Sequence, residues 1–166
     1  MATGDKILLG NGVFTVGATP IALTRGGGSF TVEREIRDIN ADGDYGPVEG
    51  RVVVDSEIAK LTVNALDLFT AADMDLFFSG TSATTTTTTL WTGTLAFAAG
   101  DYVDVTWVGK TKDGKAVTIT LENCLNRDNI EFTFEDKSEV IPTLTFTAHY
   151  SEAARTTPPW KVVFAA

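Results

Sequence analysis

The stretch Ser29-Phe30-Thr31-Val32-Glu33-Arg34-Glu35-Ile36-Arg37, continued through Asp38-Ile39-Asn40-Ala41-Asp42-Gly43-Asp44-Tyr45-Gly46 to Val48-Glu49-Gly50-Arg51-Val52-Val53-Val54, decides the fold. From Ser29 to Arg37 the residues alternate, with Phe30, Val32 and Ile36 on one side and Thr31, Glu33, Glu35 and Arg37 on the other. A period of two is the signature of a strand with one buried face. Val48 to Val54 repeats the pattern, and the Asp, Asn and Gly residues between the two runs are turn formers. A long β-hairpin over 29–66 follows, with a further strand over Ile58 to Ala65.

Working outward, Val13 to Val16 and Ile21 to Thr24 are short strand candidates, and Arg25-Gly26-Gly27-Gly28 reads as a break. Four more β segments are expected at Tyr102 to Lys110, Lys115 to Glu122, Asn129 to Glu135 and Ile141 to Tyr150, and a last one at Trp160 to Phe164. Asp113-Gly114 marks a hairpin turn between the first two of these. One helix is legible over 70–79: Thr70 can cap it, Asp73 takes the capping-box position, and Met74, Phe77 and Phe78 share a face. Thr81 to Thr89, with Thr84 to Thr89 an unbroken run, has no apolar face and reads as an exposed loop or an edge strand. The expected fold is mainly β: a β-sandwich or barrel with one short flanking helix and a long hairpin loop. Its expected divisions are an N-terminal arm and short strands over 1–28, the hairpin, the helix, the threonine loop and a second strand group over 102–164, all in one domain.

The chain has 166 residues, enough for one core without disulfides or metals. Its one cysteine, Cys124, has no partner for an internal bridge, and Met1 to Lys6 lead into no apolar run of signal-peptide length. The expectation is a product of a reducing cytoplasm. No window reaches the length of a membrane helix. Net charge is −9, with 22 Asp and Glu against 13 Lys and Arg. This balance argues against tight nucleic-acid binding, which draws on cationic side chains.

Catalytic signals are sparse. His149 is the only histidine, on the threonine face of its strand, and Cys124 falls in an expected loop. Asp38, Asn40, Asp42, Gly43, Asp44 and Glu49 occupy positions 1, 3, 5, 6, 7 and 12 of a calcium-loop pattern. Strands rather than helices flank this loop, so the turn reading takes precedence and neither a metal nor a cofactor is expected. The rival reading is a monomeric, calcium-stabilised β-sandwich that binds carbohydrate or another adhesion target, with Trp91, Trp107 and Trp160 as its aromatic platform.

In the order and spacing of Ser29 to Ile39, Asp42-Gly43, Gly46 to Arg51, the helix near Thr70, and Ile141 to Tyr150 running on to Pro159-Trp160-Lys161-Val162, the chain resembles the major tail tube proteins of long-tailed bacteriophages. Those are similar in fold to the tube subunits of contractile tails and of type VI secretion. The resemblance implies a non-enzymatic subunit of hexameric rings that stack into a hollow tube, in the tail of a virion assembled in the bacterial host cytoplasm. Its implied partners are further copies of itself and other tail proteins, with DNA passing through without sticking and no insertion into a membrane. Glu33, Glu35, Glu49 and Asp55 are then the lumen candidates, because they share the polar faces of the hairpin and repel phosphate. Asp38, Asn40, Asp42, Gly43, Asp44 and Tyr45 would form the loop that reaches the next ring.

Overall fold

A computed structural model describes residues 6–67 and 70–165; residues 1–5 of the expected N-terminal arm lie outside the described residues. The chain forms antiparallel sheet with one short helix. Its strands are β1 (Leu8–Val16), β2 (Thr19–Pro20), β3 (Thr24–Asp38), β4 (Val52–Ala65), β5 (Gly80–Thr84), β6 (Thr89–Gly93), β7 (Val103–Thr111), β8 (Ala116–Asn126), β9 (Thr143–Ala148) and β10 (Trp160–Phe164). Helix α1 spans Ala71–Phe78. The main sheet runs β2-β1-β7-β8-β9-β4-β3, with β10 also on β8, and β5 and β6 form a separate hairpin.

Alternation explains which face is buried. Phe30, Leu61 and Phe146 are cross-strand neighbours on β3, β4 and β9, and Val16, Val105 and Leu121 are neighbours on β1, β7 and β8. All but Phe30 are buried in one contiguous core, against which Phe30 packs. The opposite face is rich in hydroxyl groups. Thr15, Thr106 and Thr120 form a row across three strands, and Thr62 and Thr145 are within hydrogen-bond distance at 3.3 Å. Such cross-strand pairs add a few tenths of a kcal/mol each, about 0.2 to 1. The sheet curls until its ends approach: Phe14 of β1 reaches Gly28 of β3, yet among the described residues no ladder joins these two strands.

Glycine permits the tightest packing. Gly12 and Gly109 face each other across β1 and β7, and the Trp107 indole lies over both, so a Cβ at either position would collide with the ring. The helix is placed from both ends. Thr70 Oγ1 accepts from the Asp73 amide at 3.2 Å, a cap of about 1 kcal/mol. Asn126 Nδ2 donates to the Phe77 carbonyl at 3.1 Å, and Phe77 packs edge-on to Phe146.

Several expectations are corrected. Ile21 to Leu23 is not strand; β2 stops at Pro20, and Ile21 turns its side chain into the core. Arg25 to Gly28 does not break the chain, because Gly26 and Gly27 adopt positive φ and form a bulge inside β3. Val48 to Val54 and Ile58 to Ala65 are not two strands. Val48 to Arg51 belong to the turn, with the Arg51 amide bonded to the Val48 carbonyl, and Val52 to Ala65 run as one strand bulged near Asp55. The helix exits through Ser79 at φ 53° instead of through Gly80.

The threonine run forms the turn of the β5–β6 hairpin, where Thr84 and Thr89 pair through their hydroxyls at 3.2 Å. Asn129 to Glu135 is irregular despite its alternation. Of its three apolar residues only Phe132 packs inward, against Phe78, while Ile130 and Phe134 are exposed, so no neighbouring strand rewards extension. Cys124 lies within β8 rather than in a loop, and His149 lies just beyond the end of β9.

Gly109→Val should lower stability by about 1 to 3 kcal/mol through displacement of the Trp107 ring. Thr106→Val on the hydroxyl face should change it by no more than about 0.5 kcal/mol. Urea denaturation of both variants measures the contrast.

Candidate assembly surface: the projecting hairpin

The ladder between β3 and β4 extends beyond the rest of the sheet. β9 covers β4 only over Lys60 to Asn64, and burial on β4 begins at Ala59. From Glu33 to Asp38 and from Val52 to Ser56 the two strands therefore project as an arm whose residues are exposed on both faces. Apolar side chains lie along it. Ile36 and Val54, a cross-strand pair, are 58% and 53% exposed, and Val52, Val53, Ile58 and Ile39 are also exposed. Tyr45 at the tip is fully exposed. A connected set of this kind marks an interaction surface more often than scattered single residues do.

Charge pairs stiffen the arm. Lys60 Nζ donates to both oxygens of Glu33 at 3.1 and 2.9 Å. Arg37 donates to Asp55 through Nε and Nη2 at 2.9 and 3.3 Å, which raises the guanidinium pKa further. Ser56 Oγ donates to Glu35 at 3.3 Å. These pairs are exposed and screened by solvent, so each contributes little by itself. Their collective effect is to favour one register.

The root is more enclosed. Glu57 Oε1 accepts from Trp160 Nε1 at 2.6 Å, and Oε2 accepts from Arg34 Nε at 2.5 Å, with the carboxyl side chain only 12% exposed. The indole donor first, and then Arg34, hold the Glu57 carboxyl below its ordinary pKa against the opposing effect of burial. Tyr150 donates to the Glu57 carbonyl at 3.2 Å, and Phe30 packs on Trp160 with ring centroids 5.7 Å apart. Sequence reading missed this junction, since Glu57 sits in no motif and its partners Tyr150 and Trp160 are 93 and 103 residues away.

The proposed site residues separate into two groups. Glu33 and Glu35 lie on the non-core face of β3, and Asp55 lies at the β4 bulge. Glu49 is in the tip loop rather than on a strand face. Asp38 ends β3, while Asn40, Asp42, Gly43, Asp44 and Tyr45 form the tip. Asp44 Oδ2 accepts from the Ala41 amide at 2.7 Å and from Arg51 Nη1 at 2.8 Å, so the tip is braced by its own side chains. Among the described residues no three His, Cys, Asp or Glu side chains are grouped to hold a metal ion.

The other candidates are occupied elsewhere. Trp107 is buried over its glycines, Trp91 packs against the core beside Gly80, and Trp160 anchors the arm; they share no platform. Cys124 is fully buried, and burial pushes its thiol pKa up to about 12, which removes the thiolate a nucleophile needs. His149 Nδ1 lies 3.1 Å from the Asn123 carbonyl, and its ring meets Tyr102 edge-on.

No family model matches the chain, and no curated protein matches it. The solved chains similar in fold include one from the "Virion of native gene transfer agent (GTA) particle". The match covers 93% of this chain and 95% of that one, with a TM-score of 0.52 and 12% sequence identity. At that identity the likeness is one of fold. No helix among the described residues is long and apolar enough to cross a membrane.

Glu57→Gln should destabilise the protein by on the order of 1 kcal/mol at neutral pH, because it weakens two charge-assisted bonds. Glu57 has a folded pKa depressed below its unfolded value, so its ionised form stabilises the fold above the unfolded carboxylate pKa. That contribution is lost as pH falls through the folded pKa. Chemical denaturation of wild type and variant across the acidic range should show the two curves converging at low pH.

Proposed function

We propose that this chain is a structural subunit of a phage-like particle, and specifically that it forms hexameric rings stacked into a tail tube through which DNA passes. The observation that carries this reading is the arm. A two-stranded ribbon with exposed apolar residues on both faces gains little in an isolated molecule, since two strands alone are marginal in water. It gains a great deal when a neighbour covers Ile36, Val54 and Val52. The uncovered outer edge of β3 and the unclosed seam between β1 and β3 present the same demand, because exposed strand edges favour pairing with another chain. The fold it shares with a virion chain is consistent with this use.

In this arrangement the tip residues Asp38, Asn40, Asp42, Gly43, Asp44 and Tyr45 reach the next ring. Glu33, Glu35, Glu49 and Asp55 remain the lumen candidates. Glu33 and Asp55 are paired with Lys60 and Arg37, while Glu35 and Glu49 would leave the wall net negative on a face rich in hydroxyl groups. Such a wall offers phosphate few free cations, and binding driven by counterion release has little to draw on. Other tail proteins would close the two ends, and the particle would assemble in the host cytoplasm.

Negative-stain electron microscopy of the purified protein over a concentration series should show rings or hollow tubes of constant diameter. Deleting Asp42 to Tyr45 should leave folded subunits that no longer stack; tubes of normal length from this variant would remove the tip from the contact. Glu33→Lys with Glu35→Lys should still assemble but retain DNA, as a filter-binding assay would detect.

A further inference from the structure

Beside the exit of α1 lies a cleft of about 620 Å³, within the size range of small-molecule sites. None of the residues that line it belongs to the arm, so it is separate from the surface assigned to assembly. Phe78 and Leu125 are buried in its wall, while Phe97 and Tyr102 are 54% and 37% exposed. The Tyr102 ring is held in place by its edge-on contact with His149, with centroids 5.3 Å apart.

The polar side chains of the cleft are uncommitted. Ser79 is only 7% exposed, yet among the described residues its hydroxyl has no hydrogen-bond partner. Buried hydroxyls ordinarily find one. Among the described residues Trp91 Nε1 is the one unbonded polar side-chain atom that is sealed from solvent, so the Ser79 hydroxyl opens into the cleft it lines. The Tyr102 hydroxyl is likewise unbonded. His149 Nδ1 lies against the Asn123 carbonyl, which can only accept, so Nδ1 carries the proton and Nε2 of the neutral ring is an acceptor. Arg127 and Asp128, both exposed, add a donor and an acceptor of cancelling charge. Neither side chain is in an ion pair among the described residues.

This combination selects a class of ligand. An apolar molecule would strip water from the Ser79 and Tyr102 hydroxyls and give nothing back, which is costly. An ion would meet one charge of each sign. A neutral ring with hydroxyl groups around its edge and C–H bonds on its face suits both sets, since its hydroxyls donate and accept and its C–H groups rest on the negative face of an aromatic ring. We propose that this cleft binds a neutral pyranose sugar, with the C–H face against Phe97 and Tyr102 and the hydroxyls on Ser79, Arg127, Asp128 and His149. This goes beyond the tube reading and does not depend on it. A free sugar and a sugar residue of a glycan offer the same chemistry.

Saturation-transfer NMR and calorimetry of the full chain test it, with the methyl pyranosides of glucose, galactose, mannose and N-acetylglucosamine as probes. At least one should bind with a dissociation constant on the order of 1 mM, as a ligand with few contacts does. Ser79→Ala, which keeps the Cβ, and Asp128→Asn, at an exposed position, should each weaken binding about tenfold. Circular dichroism checks both folds, and Asp128→Asn carries the test if Ser79→Ala unfolds.

Saturation transfer to none of the four at about 20 mM, some twentyfold above that constant, overturns the proposal. Binding that the folded variants leave unchanged overturns it as well, because the sugar then sits elsewhere. Tighter binding of benzyl alcohol or gluconate overturns the ligand class. Oligomers of the bound sugar separate the two sources: binding as tight as the monosaccharide supports a glycan, and exclusion of the oligomer while the monosaccharide binds supports a free sugar.

Discussion

Everything distal to Ala59 depends on the register of one strand. Ala59, Leu61, Val63 and Ala65 are all buried in the core, and slipping β4 by one residue would expose all four at once. That cost fixes the phase of the strand for its remaining length. The arm has no core of its own, but it receives a defined set of faces from a segment that has one. Phe30 and Val32 carry the same instruction into β3 by packing on that core.

The arm exists because the row beside β4 is interrupted. β9 ends at Ala148 opposite Cys124, and β10 begins at Trp160 opposite Leu121; the Glu122 amide bonds to the Pro159 carbonyl. Residues 149–159 thus leave the sheet, and β10 begins three positions nearer the start of β8. β10 continues the row but makes no ladder with β4. Trp160, Glu57 and Tyr150 hold the strands at the fork with side chains where backbone bonds would otherwise run.

Much of this was legible in the sequence, and the failures have physical causes. Alternation found β7 and β10 to within a residue at each end, because a paired neighbour holds each extended along its length, and it found the start of β8 but not its last four residues. The same signal misread Asn129 to Glu135, since alternation states what a strand would bury and not whether a partner is there. Local chemistry found the α1 cap at Thr70 and the Asp-Gly turn, both of which are decided within a few residues. It misjudged Arg25 to Gly28, where positive φ serves a bulge as readily as a turn. At the candidate surface the hairpin was visible and its projection was not. Projection is a property of what β9 fails to cover.

The fork has a mechanical consequence. A load applied at Tyr45 acts on a stiff, ion-paired ribbon hinged at Glu57, so the hairpin is a lever with the Trp160 contact as its fulcrum. Torque about that point passes into β10 and then β8, the strand that joins the most neighbours, and bypasses α1 and the threonine hairpin. Strain from one subunit would thus be delivered to the stiffest part of the sheet, where it is shared across many backbone bonds at once.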